Sequence, residues 1–235
     1  MTAQEILTEL RGLGQESIKK VLLNHGVPEP FFGVKIEHLQ KIRKRVKTDY
    51  QLALDLYATG NYDAMYLAGL VADDHRMSRE DLERWAQTAH CYGIALYAVA
   101  WVASESPHGW EMGRKWIDSE QELVAAAGWS TLASLVSIKP DAELDLPALK
   151  KLLARVKKTL HTSPNWVRYT MNGFVIAVGS YVPALTEEAL ATAAAVGTVS
   201  VDMGATACKV PEAAGYIGKV RDRGTLGKKR KTAKC

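Results

Sequence analysis

The sequence predicts an all-α chain in which paired antiparallel helices stack into a HEAT- or armadillo-like superhelical solenoid. Three observations carry that prediction. Apolar residues recur at helical spacing along nearly the whole chain, as in Ile36, Leu39, Ile42 and Val46, or Leu146, Leu149, Leu152, Leu153 and Val156. Helix-start signals punctuate it, among them the Ser/Thr-x-x-Glu patterns of Thr2 to Glu5 and Ser119 to Glu122, in which each side chain satisfies the other's orphan amide. Starts near 35, 78, 119, 163 and 208 lie 43, 41, 44 and 45 residues apart, close to the roughly 40 to 47 residues of a two-helix repeat. Because the repeats share little residue identity, an irregular helical bundle is the alternative.

In chain order, helices are expected near 3–12, opened by the Thr2 box, then 16–25, and 35–47 after a turn at Gly33. Helices near 49–58 and 61–72 follow, and Ser78 with Glu80 and Asp81 opens one near 79–90. The next lie near 93–104, then 107–116 behind Ser106-Pro107, and 120–137 behind Ser119. A helix near 146–160 precedes one near 164–179, where Ser163-Pro164 repeats the cap-and-proline signal. Thr186 with two acids starts 184–196, and 209–221 is the last. Thr198-Val-Ser-Val201 is the one short β-branched run, and it reads as a loop rather than an isolated strand.

A chain of 235 residues with 47% hydrophobic residues can bury a sizeable core, and one domain over 1–218 is expected. No stretch reaches the roughly 18 to 20 apolar residues of a membrane span, and Met1 is not followed by a basic region and an apolar core, so no membrane partner is expected. Cys91, Cys208 and Cys235 are odd in number and far apart, which fits a reducing cytoplasm better than a disulfide framework. Residues 219–235 form a basic tail. They take 8 of the 30 Lys and Arg and 1 of the 26 Asp and Glu, leaving 22 and 25 in the body, so the tail is +7 and the body −3. Such a segment buries too little to fold alone and is expected to be mobile or docked on a partner, polyphosphate above all. A merely solubilising end is the alternative.

Phe32-Gly-Val-Lys-Ile-Glu-His-Leu-Gln-Lys-Ile-Arg-Lys44 opens a helix whose apolar stripe alternates with cations. With Trp116-Ile-Asp-Ser-Glu120, Ser163-Pro-Asn-Trp-Val-Arg-Tyr-Thr-Met-Asn-Gly-Phe174 and the order of helix pairs, it resembles the DNA alkylation repair (AlkD-like) family over most of 30–220. The resemblance implies a solenoid that grips duplex DNA on its concave side. In active members, N-glycosidic hydrolysis releases cationic N3- or N7-alkylpurines. That chemistry asks for a carboxylate beside the developing oxocarbenium-like sugar, aromatic faces that hold the base and an Arg on the phosphate.

Aligned on the family, the first Trp and the Asp four residues later fall at Tyr92 and Leu96, and no acid occurs between Glu83 and Glu105. The Trp-x-Arg-Arg segment falls at Leu123-Val-Ala-Ala-Ala-Gly128 and the second Trp at Phe174. Loss of that carboxylate should cost several kcal/mol, or about three decades in rate. The expectation is therefore a duplex-DNA-binding relative whose glycosylase activity is weak or lost. A glycosylase using other residues and a protein-interaction scaffold, with its tail on an acidic partner, are the alternatives.

Candidate DNA contacts are Lys35, Lys41, Arg43 and Lys44 on the cationic helix, Tyr92, Trp166, Arg168 and Phe174 in the groove, and Lys228, Lys229, Arg230 and Lys231 in the tail. The helical cations could instead lie on a solvated convex face, and the spacing of Trp166, Tyr169 and Phe174 is equally that of core residues. Asp73-Asp74-His75 and His90-Cys91 have no second pair at ligand spacing, so neither a metal nor any other cofactor is implied.

Overall fold

The structure, a computed structural model, describes residues 1–234. Thirteen α-helices and no strand occur among them. The first three are α1 (Ala3–Leu13), α2 (Glu16–Asn24) and α3 (Ile36–Val46), and five antiparallel pairs follow. The pairs are α4 (Tyr50–Ala58) with α5 (Tyr62–Val71), α6 (Arg79–Thr88) with α7 (Ile94–Glu105), and α8 (Gly109–Trp116) with α9 (Glu122–Ile138). Then come α10 (Leu146–Thr159) with α11 (Asn165–Tyr181), and α12 (Thr186–Val196) with α13 (Ala213–Asp222). The second members form an inner layer in which α5 packs on α7, α7 on α9, α9 on α11 and α11 on α13. Their sequences are apolar on nearly every face, and α5 buries all but its first residue. The outer helices α6, α8 and α10 carry the polar faces that meet solvent. No single helix among the described residues is long and apolar enough to cross a membrane.

Start signals differ in outcome according to whether a hydroxyl finds a better partner than the next amide. Thr2 with Glu5 and Ser78 with Asp81 form reciprocal capping boxes. Ser106, Ser163 and Thr186 do not cap. Their hydroxyls donate backwards, to the carbonyls of Ala103 (2.8 Å), Thr159 (2.8 Å) and Gly179 (2.9 Å), although Ser106 Oγ also accepts the His108 amide at 3.2 Å in the turn before α8. The box expected at Ser119 is also absent, because Glu122 is drawn to α11, where its Oε1 accepts the Trp166 amide at 2.6 Å.

Inner helices begin along one edge and end along the other. At the starting edge the Asp63 carboxylate, in the first turn of α5, accepts the amides of Phe32 (2.6 Å), Gly33 (3.0 Å) and Val34 (2.9 Å), fixing the loop before α3. Burial pushes this carboxyl above its usual range, while the three amides pull the other way. Gly33 is required there: φ is +76°, and a Cβ would lie 2.7 Å from Lys19 Cγ and 2.8 Å from Lys19 N.

The finishing edge overturns two expectations about the tail. The boundary at 218/219 falls inside α13, and the described residues beyond the helix, 223–234, are packed on the body rather than free of it. They run back over the C-terminal ends of the inner helices as a strap. Gly227 N donates to Ser180 O of α11 (2.9 Å), Lys229 Nζ to Val136 O (2.9 Å) and Arg230 N to Ser137 O (2.8 Å) of α9. Ala233 N reaches Glu105 Oε1 at the end of α7 (2.7 Å), and Lys234 Nζ reaches Ala72 O after α5 (3.1 Å). A Cβ at Gly227, whose φ is +74°, would come within 2.6 Å of Pro183 Cγ, so a side chain would lift the strap from α11. The tail docks on its own body because orphan helix carbonyls and the carboxylates of Asp141, Glu105 and Asp74 meet donors there: Lys229 and Lys234 pair with the two aspartates, and the Thr232 hydroxyl and Ala233 amide serve Glu105.

Candidate nucleic-acid interface

At the starting edge, helix geometry gathers aromatic side chains from distant repeats. Tyr92, just before α7, stacks on Trp166 in the first turn of α11, with centroids 3.9 Å apart and planes at 15°. Trp166 meets Tyr169 edge-on at 6.0 Å, and the Tyr92 hydroxyl lies 2.8 Å from His25 Nδ1. Burial, with Tyr97 and the Cys208 thiol nearby, lifts the Tyr92 phenol to about 12. Tyr92, Trp166 and His25 line a cleft of about 370 Å³ together with Glu122 and Asp202. A second row runs Tyr62, Tyr66, Trp101 and Tyr97 through contacts of 6.3, 5.4 and 5.5 Å. The 197–212 connection crosses this edge. The Asn165 side chain exchanges hydrogen bonds with the backbone of Asp202 at 2.7 and 2.8 Å, and Ala205 N donates to Asn24 O at 3.0 Å.

The family's carboxylate position lies deeper. The first six residues of α7, Ile94–Val99, are wound as a π-helix, a conformation found often at functional sites. Leu96 lies in that turn, 3% exposed, with its carbonyl accepting the Ser130 hydroxyl at 2.7 Å. It lines an apolar cavity of about 170 Å³ with Tyr97, Ser130, Tyr169 and Gly173. Ala125, Ala126 and Ala127 are buried, so no guanidinium from α9 enters.

Phe174 must be removed from the interface. It is 0% exposed and packs edge-on against Trp129 at 5.2 Å, because α11 turns this position into the core. Trp166 and Tyr92 are together and half-buried, while Arg168 has its Nε buried without a hydrogen-bond partner among the described residues. Lys35 stands at the N-cap position of α3 without a side-chain cap, exposed, and Lys41 faces solvent. Arg43 and Lys44 lie at the opposite end of α3, where with Lys47 they line a cleft of about 520 Å³ shared with Thr232 and Lys234 of the strap. Lys228, Arg230 and Lys231 are exposed on the strap, whereas the Lys229 ammonium turns inward to Asp141 at 2.8 Å and is an anchor. His25, Glu122 and Asp202 escaped sequence reasoning, since only the tertiary fold carries them to Tyr92. Lys234 and Asp74 did too: an i to i+160 pair at 2.8 Å has no local signature. No group of three His, Cys, Asp or Glu among the described residues is arranged to hold a metal ion.

Stacked helix pairs with an aromatic cleft at one edge define the class as a HEAT-like helical-repeat protein of the DNA glycosylase fold. A solved structure described as representing "a new family of proteins related to the HEAT-like repeat DNA glycosylases with affinity for branched DNA structures" matches all of this chain and all of its own, at 38% identity and a TM-score of 0.92. The family model described as DNA alkylation repair enzyme matches residues 6–217, and the chain belongs to that family. Uncharacterized proteins of Listeria innocua (Lin0241) and Listeria monocytogenes (Lmo0209) are each 34% identical over 228 residues, covering 95% of this chain and 99% of theirs.

Proposed function

We propose that this chain binds DNA, branched DNA in preference to linear duplex, largely through phosphates, and that alkylpurine glycosylase activity is weak or lost. The observation that carries the reading is Leu96: where active family members place a carboxylate, α7 presents hydrocarbon, and its first acid is Glu105 at the far edge. A cationic leaving group needs little push, but the sugar cation still needs a counter-charge. Glu122 lines the aromatic cleft, and its Oε1 is committed to the Trp166 amide. The affinity described for the 38%-identical structure supports DNA as the partner. Aromatic faces at the starting edge and exposed cations on α3 and the strap are the two elements that sequence-independent binding uses. We place the protein in the cytoplasm, a setting supported by free thiols at Cys91 and Cys208.

The test pairs two assays on purified full-length protein. Incubation with N-methylated DNA at neutral pH should release no N7-methylguanine above the uncatalysed rate. Fluorescence anisotropy with a four-way junction should show binding that weakens steeply as salt rises. Robust base release would overturn the first half of the reading, and absence of salt-dependent binding the second.

A further inference from the structure

A branched DNA differs from a linear duplex in offering several arms to one protein molecule. Preference for it therefore calls for two phosphate-contacting surfaces that face apart, the second engagement gaining from the first. The starting edge offers aromatic faces for one contact with DNA, and the strap edge has the construction of a phosphate-contacting surface.

The strap converts an edge of carboxylates into an edge of cations. Beneath it, Glu105 accepts the Thr232 hydroxyl and the Ala233 amide, Asp141 pairs with Lys229, and Asp74 pairs with Lys234, whose side chain is only 6% exposed. These inward contacts pair the two aspartates with lysines, satisfy Glu105 with neutral donors and fix the backbone, while Lys228, Arg230 and Lys231 are left exposed. At the far end of the strap, Arg43, Lys44 and Lys47 continue the line along one wall of the 520 Å³ cleft, and none of the three is paired with a carboxylate among the described residues. Lys47 has a φ of +65°, and no other non-glycine residue among those described has a positive φ. Glycine would suit that turn better, so retaining a lysine there spends conformational energy on a cation at the cleft mouth. Asp73 is the acid in this cleft that the strap leaves unengaged.

We infer that the strap edge, from Lys228 through Lys231 to Arg43, Lys44 and Lys47, is the docking surface for a second duplex arm. The inference rests on the reading that the chain binds branched DNA. Lys229 and Lys234 are positioning residues that hold the outward cations in place, which reduces the ordering cost a free arm would incur on binding.

Fluorescence anisotropy on the full chain, with a labelled four-way junction and a linear duplex of one arm's sequence, tests it at several salt concentrations. The variant carries Lys44→Ala, Lys228→Ala and Lys231→Ala, three exposed residues whose side chains make no hydrogen bond or ion pair among the described residues. Its junction affinity is expected to fall tenfold or more, with a log–log salt slope shallower by about 2 to 3. The linear duplex, which engages one surface at a time, should lose affinity by a clearly smaller factor than the junction. If the variant keeps the wild-type preference for the junction, or loses both DNAs equally, the second-arm surface is overturned while DNA binding stands. If the wild-type chain binds neither DNA, the functional reading falls and this inference with it.

Discussion

The two ends of α5 are closed by opposite charges. At its start the Asp63 carboxylate takes three amides of a neighbouring loop, and at its end the Lys234 ammonium donates to the Ala72 carbonyl. The same division holds across α9 and α11, where Glu122 accepts an orphan amide at the starting edge and Lys229 donates to Val136 at the finishing edge. Aligned inner helices present positive amide ends on one side and negative carbonyl ends on the other, and each such match contributes about 0.3–1 kcal/mol, or up to about 2 when partly buried. The comparison teaches that basic residues in a tail need not all be for an outside polyanion. Part of this tail's charge is spent internally, and the remainder is oriented by that use.

The largest expected effect sharpens the comparison at the starting edge. Asp63→Ala orphans three amides, two of them bonded in buried surroundings, and should destabilise the chain by about 3–5 kcal/mol. Urea unfolding followed by circular dichroism reads this as a lower midpoint at unchanged slope; a loss below about 1 kcal/mol would break the picture of a carboxylate anchor.

Lys234→Met should cost less, about 1–3 kcal/mol, because the methylene stem is retained and the deserted Asp74 can protonate. It should also make trypsin cleave residues 223–234 of the folded protein faster than in the wild type. A strap equally resistant in both proteins would show that the finishing edge does not depend on its buried cation.

The smallest effect is a pH dependence confined to the finishing edge. Burial raises the Asp74 carboxyl from 3.8 to about 6, with the Lys234 ammonium opposing the shift. A carboxyl whose folded pKa is raised binds its proton more tightly in the folded chain, so its contribution grows as pH falls through about 6 and fades as pH rises past it. Between pH 7 and pH 5 wild type should therefore gain about 1 kcal/mol relative to Asp74→Asn, read from paired thermal melts. A constant difference across that range would place Asp74 outside the titrating set.

Much of the fold is legible locally. Thirteen helices are expected and thirteen occur among the described residues, with most boundaries within two residues; the last begins four residues later than expected, at Ala213. Stacked pairs are found as expected, but not at the expected period. The pairs begin at Tyr50, Arg79, Gly109, Leu146 and Thr186, whereas the start near 35 falls on α3 and those near 78, 119, 163 and 208 on different members of successive pairs. The candidate site is legible only in part. Tyr92 and Trp166 are recognised through the family pattern, and the structure brings them into contact. Phe174 belongs to the same pattern, yet one apolar helix face cannot announce whether it meets a groove or Trp129. Ser106, Ser163 and Thr186 fail as caps for a related reason: a hydroxyl has both forward and backward partners within reach, and packing chooses between them.

Helix number, pairing and the hydrocarbon at Leu96 are properties of neighbouring residues, so they can be read from the order of amino acids. Where the strap lies, which of its lysines face solvent, and that Asp74 holds Lys234 depend on bringing together residues 160 positions apart. Such contacts arise from chain ends and helix dipoles meeting in space, and nothing in a local window encodes them.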